Sequence, residues 1–214
     1  WLEFRRVLFR SYFTQSTLDF LEELRNNNNR EWFNDNKSRY ESEVRTPALE
    51  FIEAIGPMLP AISPYFRAVA KKSGGSLMRP YRDIRFSKDK TPYKTNIGIQ
   101  FRHEAGKDVH APGFYLHIEN DDIFVGAGMW HPESKALVKI RDLIVNDEKA
   151  WIKILKDKPF NKAYDLVGER LQRPPRGFDK NHALIEDIKR KDFIGLYTLP
   201  NKDLTIKNTI DKAL

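Results

Sequence analysis

The hydrophobic period of this chain changes twice, and those changes fix the class of fold it can adopt. From Thr17 to Pro60 apolar residues recur at three- and four-residue spacing: Leu18, Phe20, Leu21 and Leu24, then Trp32, Phe33, Tyr40 and Val44, then Leu49, Phe51, Ile52, Ile55 and Leu59. That is the period of amphipathic helices. Thr17 is placed to cap the first of them, the Asn26 to Asn29 run to end it, and Asn29 to cap the second. From Met78 the period becomes two: Ile97, Ile99 and Phe101 alternate with Gly98, Gln100 and Arg102. Phe114–Ile118 and Ile123–Trp130 then flank Asn120 and Asp121, residues that tolerate the positive φ of a tight hairpin. After Pro132 the spacing is helical again, through Leu137 to Ile144, through Trp151, Ile152 and Leu155, and through Ile185, Ile188 and Phe193. The expected fold is α+β: N-terminal helices, a central mainly antiparallel sheet from about Leu77 to Trp130, and C-terminal helices packed on one of its faces.

About 200 residues suffice for one domain with a sizeable core. Leu2–Ser11 back-translates without gaps into a common sequencing-library adapter, so residues 1–11 are expected to be translated adapter and not native protein. Residues 12–214 are expected to form a single domain, truncated where the helical pattern of Thr205–Leu214 stops without a cap. No apolar run reaches the roughly 20 residues of a membrane span, so a soluble protein with no membrane partner is expected. Zero cysteine excludes disulfides, thiolate metal sites and cysteine nucleophiles, and suits a reducing cytoplasm.

Charge is concentrated in one place. Ten basic and two acidic residues lie between Arg67 and Arg102, more net charge than the +7 of the whole chain. At the centre of that window Arg82, Arg85, Lys88, Lys90 and Lys94 are interleaved with Tyr81, Phe86, Tyr93, Asp83 and Asp89. Arginine forks suit bidentate contact with phosphate or carboxylate, and lysines add point charges, so the loop reads as a site for an anion. Asp83 and Asp89 read first as ion-pair partners that orient the arginines. No Walker-type loop, HExxH or Cys/His ligand spacing occurs, and His103, His110, His117, His131 and His182 follow no metal motif. If Glu119 pairs with Asp122, Tyr115, His117, Phe124 and Trp130 wall a shallow trough floored by Gly126 and Gly128, which either a ligand or another chain segment fills. The ligand-binding set is therefore Arg82, Asp83, Arg85, Lys88, Asp89, Lys90, Tyr93, Lys94, Tyr115, His117 and Trp130. Three readings of it stand: a pocket for a phosphorylated or other anionic small molecule, a surface for single-stranded nucleic acid, or an ion-pair lattice that locks the loop.

The stretches FLEELRNNNNREWFNDNKSRY (Phe20–Tyr40), YRDIRFSKDKTPYK (Tyr81–Lys94), GFYLHI (Gly113–Ile118), VGAGMWHP (Val125–Pro132) and KRKDF (Lys189–Phe193) resemble the family known as domain of unknown function 2461. The resemblance runs through nearly all of the chain after Ser11. It implies membership, and brings with it no reaction, substrate or cofactor, so catalysis and cofactor stay open.

Overall fold

The computed structural model describes residues 12–104 and 112–199. The adapter-like N-terminus, His110 and the Thr205–Leu214 pattern lie outside the described residues. The fold is α+β, with six strands in the order β1-β2-β3-β4-β6-β5. These are β1 (Phe66–Arg67), β2 (Ile97–His103), β3 (Gly113–Glu119), β4 (Asp122–Met129), β5 (Asp165–Val167) and β6 (Phe193–Thr198). The outer pairs are antiparallel, Phe66 opposite His103 at one edge and Leu166 opposite Gly195 at the other. The chain divides into two compact units, one holding residues 12–104, 115–125 and 198–199, the other 112–114 and 126–197 among the described residues.

The first unit opens with α1 (Gln15–Asn26), which buries Leu18, Phe20, Leu21 and Leu24 as its spacing requires. Its cap is Thr14, not Thr17. The Thr14 backbone N–H donates to Thr17 Oγ1 at 3.3 Å, and Thr17 lies in the first turn, fully buried. The reason lies one helix away. Pro47 has no N–H to offer the carbonyl of Glu43 four residues before it, and the Thr17 hydroxyl donates to that carbonyl at 2.7 Å. Asn29 caps α2 (Arg30–Asp35) as expected, accepting from Trp32 N at 3.0 Å. The helical path then runs through α3 (Lys37–Arg39), a π-helical segment (Tyr40–Arg45), α4 (Thr46–Ile55) and a 3-10 turn (Gly56–Ala61). The π segment, where Thr46 N bonds Glu41 O five residues back, sets the chain up for Pro47. Phe51, Ile52 and Ile55 of α4 are buried, with the Phe51 and Phe101 rings 6.5 Å apart, so the helical face meets the apolar face of β2. Asp121, at φ 63°, makes the hairpin between β3 and β4.

The second unit holds α5 (Ser134–Asn146), α6 (Glu148–Leu155), α7 (Lys158–Ala163) and α8 (Ile185–Ile188) beside the end of β4, β5 and β6. The third expected helical segment ends at Ile188, and Phe193 opens a strand instead. Six residues of mostly apolar character carry no period that separates strand from buried helix, so pairing with β4 and β5 decides. Phe193 and Gly195 share one face of β6. Trp151 meets Phe193 edge-on at 6.0 Å, and a Cβ at Gly195 would lie 3.4 Å from the Phe160 ring, so α6 and α7 pack on that face. Gly128, at φ +143°, is required by close approach: a Cβ there would fall 1.9 Å from the Phe193 carbonyl oxygen. Gly128 itself stays exposed, with room for no side chain beside the backbone of β6. Asp192, 1% exposed, accepts from the backbone of His131 (2.6 Å) and of Glu169 (2.9 Å) and holds His131 Nδ1 at 3.0 Å, which secures His131 at φ 47°.

Candidate functional site

The basic loop is folded back on itself. Tyr81 and Tyr93 face each other across an antiparallel bridge, closed by Arg82 N to Pro92 O at 2.9 Å and Lys94 N to Pro80 O at 2.7 Å. Asn28 clasps the outer side of that bridge: its amide accepts from Tyr93 N and donates to Tyr93 O, both at 3.0 Å. The asparagine run therefore does more than end a helix. It supplies a side chain that pairs with backbone as a strand would, and so fixes the loop against the corner between α1 and α2.

Inside the loop, the acids hold the arginines. Asp83 takes the Arg85 fork through Nε (2.9 Å) and Nη2 (2.6 Å), and these bonds bring its carboxyl down to about 2. Asp89 accepts from Thr91 N at 2.9 Å and from Arg82 Nη1, and its carboxyl likewise falls to about 2. Lys90 caps the Ile84 carbonyl at 2.9 Å. Lys94, half-buried, has its pKa lowered first by burial and then by the Arg79 guanidinium. Phe86 stands almost fully exposed, with the Arg85 guanidinium 5.8 Å from its ring centre.

Against this loop α2 forms a concavity of about 360 Å³, lined by Arg30, Asn34, Tyr81, Arg82, Ile84, Pro92 and Tyr93. Of the residues expected to bind a ligand, Arg82 and Tyr93 line it. Asp83, Arg85, Lys88, Asp89, Lys90 and Lys94 belong to the same loop outside that lining. Tyr115 and His117 sit on β3, where His117 stacks on Phe124 (4.7 Å, 6°) and its Nδ1 lies 3.3 Å from both Asn96 Nδ2 and the Tyr115 hydroxyl. The His117 Nε2 faces Glu119 at 3.4 Å, and Glu119 also takes hydrogen bonds from Thr95 (2.6 Å) and Arg25 (3.3 Å). Burial pushes the Glu119 carboxyl up, but those three partners outweigh it and leave its pKa below the usual value. Trp130, half-exposed, belongs to the second unit.

Sequence reasoning missed Arg30 and Asn34. A signal was present for Arg30, which lies in the REWF stretch that carries the family resemblance but reads locally as an ordinary residue of a helix's first turn; Asn34 follows that stretch and carried none. Among the described residues no group of three or more His, Cys, Asp or Glu side chains is arranged to hold a metal ion.

The profile of the family described as "Conserved hypothetical protein (DUF2461)" matches residues 16–214. No curated protein and no solved structure matches the chain.

Proposed function

The chain belongs to the DUF2461 family of conserved hypothetical proteins, and we propose that it binds a phosphorylated or otherwise anionic small molecule in the concavity between α2 and the basic loop. One observation carries this reading. The lining holds two arginines, two tyrosines and an asparagine, and not one carboxylate. Two guanidinium groups on a lining that itself holds no carboxylate favour an anion there, Arg82 with only its Nη1 taken up by Asp89. Of the acids of the loop, Asp83 is engaged with Arg85, away from the lining, and Asp89 pairs with Thr91 and with one nitrogen, Nη1, of the lining Arg82. They serve as the scaffold that keeps the loop in shape, and an ion-pair lattice is in that sense part of the site rather than a rival to it.

The test compares two arginines of equal charge. Inorganic pyrophosphate is titrated calorimetrically into the parent, Arg30→Ala and Arg85→Ala proteins at low salt. Arg30 lines the concavity, so its loss should weaken binding about tenfold or more, the weight of a charge-assisted hydrogen bond. Arg85 spends its fork on Asp83, so Arg85→Ala should stay within about twofold of the parent. Equal losses in both variants would mean that pyrophosphate answers to net charge alone, and no binding to the parent would remove the reading.

A further inference from the structure

Three aromatic rings stand in series at the concavity. Phe33 and Tyr93 are stacked at 3.9 Å and 14°, and Tyr93 meets Tyr81 at 5.4 Å and 41°. The series begins in the core and ends in solvent: Phe33 and Tyr93 are each 3% exposed, whereas Tyr81 is 53% exposed. Tyr81 is not a mobile surface ring. Its backbone is pinned by the bridge to Tyr93, which Asn28 clasps in turn, and its inner side is backed by the Tyr93 ring. An aromatic held this firmly with half its surface open has already met the ordering cost that a stacking partner would otherwise impose.

We infer that the ligand of this site is a mononucleotide, its base stacked on Tyr81 and its phosphate held by Arg30 and Arg82. The inference rests on the anion-binding reading above and adds the part of the ligand that charge alone does not specify. A bare phosphate or a sugar phosphate has no use for the exposed ring, while a planar base can stack on the ring and meet the apolar Ile84 and Pro92 that line the same space. Asn34, with a donor and an acceptor in one amide, lines the concavity too and suits a base edge. A volume of about 360 Å³ lies at the low end of small-molecule sites, and a single ring platform serves one base rather than a run of them. The same chemistry is offered by the terminal nucleotide of a single strand, so the test separates the two sources.

The experiment is calorimetric titration of the full chain with AMP, ribose 5-phosphate, inorganic pyrophosphate and a 5′-phosphorylated single-stranded octanucleotide, repeated with Tyr81→Ala, Tyr81→Phe and Arg30→Ala. AMP should bind about tenfold more tightly than ribose 5-phosphate, the contribution of one stacked base. Tyr81→Ala should remove that advantage and leave ribose 5-phosphate unchanged, Tyr81→Phe should keep it, and Arg30→Ala should weaken both ligands together. Melting curves identify any variant that fails to fold; if Tyr81→Ala does, the AMP to ribose 5-phosphate ratio in the parent and in Tyr81→Phe still decides. Equal affinity for AMP and ribose 5-phosphate overturns the nucleotide inference and leaves the anion site standing. Absence of binding by AMP, ribose 5-phosphate and pyrophosphate alike overturns the anion site itself. An octanucleotide that binds more tightly than AMP, with an affinity falling steeply as salt rises, overturns the mononucleotide in favour of a strand.

Discussion

Lys94 shows how one residue of the basic loop is placed at a cost. Its ammonium is half-buried next to the Arg79 guanidinium, and both burial and that like charge disfavour the protonated form. Because the folded pKa lies below the unfolded one, the charge opposes folding at neutral pH, and the opposition fades as pH rises through the folded value. Lys94 does not line the concavity, so its charge reaches an anion there only through the field of the loop. Lys94→Met should raise Tm, since the methionine keeps the apolar stem and removes the charge. It should also weaken pyrophosphate about fivefold, as one partly screened charge does. Calorimetric melting and titration on one preparation measure both. A lower Tm with unchanged affinity would show Lys94 to be a packing residue.

At the scale of elements, the joint between α1 and the π-helical segment that leads into α4 turns on one hydroxyl. Pro47 starts α4 and strips Glu43 of its helical partner, and Thr17, on a different helix, replaces that partner. Neither helix carries the whole of this arrangement in its own sequence. Thr17→Val keeps the shape and removes the donor, so it should cost about 1–2 kcal/mol of stability, whereas Thr17→Ser should cost less. Urea unfolding followed by tryptophan fluorescence reads the difference. A Val variant as stable as the parent, with the loss confined to Ser, would assign the effect to methyl packing and not to the bond. The hairpin is the opposite case. Asn120 and Asp121 define its turn locally, Asp121 adopts φ 63°, and His117 comes to stack on Phe124 as a two-residue turn dictates.

Across the whole molecule, acid stability follows from carboxylates held low. Asp83 and Asp89 sit at about 2, and Glu23, beside Arg39, Glu119 and Glu169, beside Lys191, all lie below the usual value. Their folded values are depressed, so what they contribute is complete above about pH 5, past the ordinary carboxylate range, and is lost as pH falls towards 2. The urea midpoint should hold steady from pH 7 to pH 5 and drop between pH 4 and pH 2. The basic loop should loosen in the same window, which limited proteolysis with an acid protease at pH 3.5 and pH 2 tests. A midpoint that falls already between pH 7 and pH 5 would point instead to histidine. No helix among the described residues is long and apolar enough to cross a membrane. Much of this architecture was legible in the amino-acid order because it is local. The α+β class, the Asn29 cap, the buried faces of α1 and β2 and the turn at Asn120 and Asp121 each follow from spacing or capping within a few residues. The pairing of Asp83 and Asp89 with arginines follows in the same way, since charges so close in sequence find each other. What only the tertiary structure decided involves partners far apart along the chain. Asn28 reaches Tyr93 across 65 residues, and that clasp brings Arg30 and Asn34 to the ring of Tyr81. The strand of Phe193–Thr198 exists because β4 and β5 lie on either side of it. Local sequence sets which surfaces are apolar and which groups are charged, while long-range contact sets which cations find an acid and which are left facing an open space.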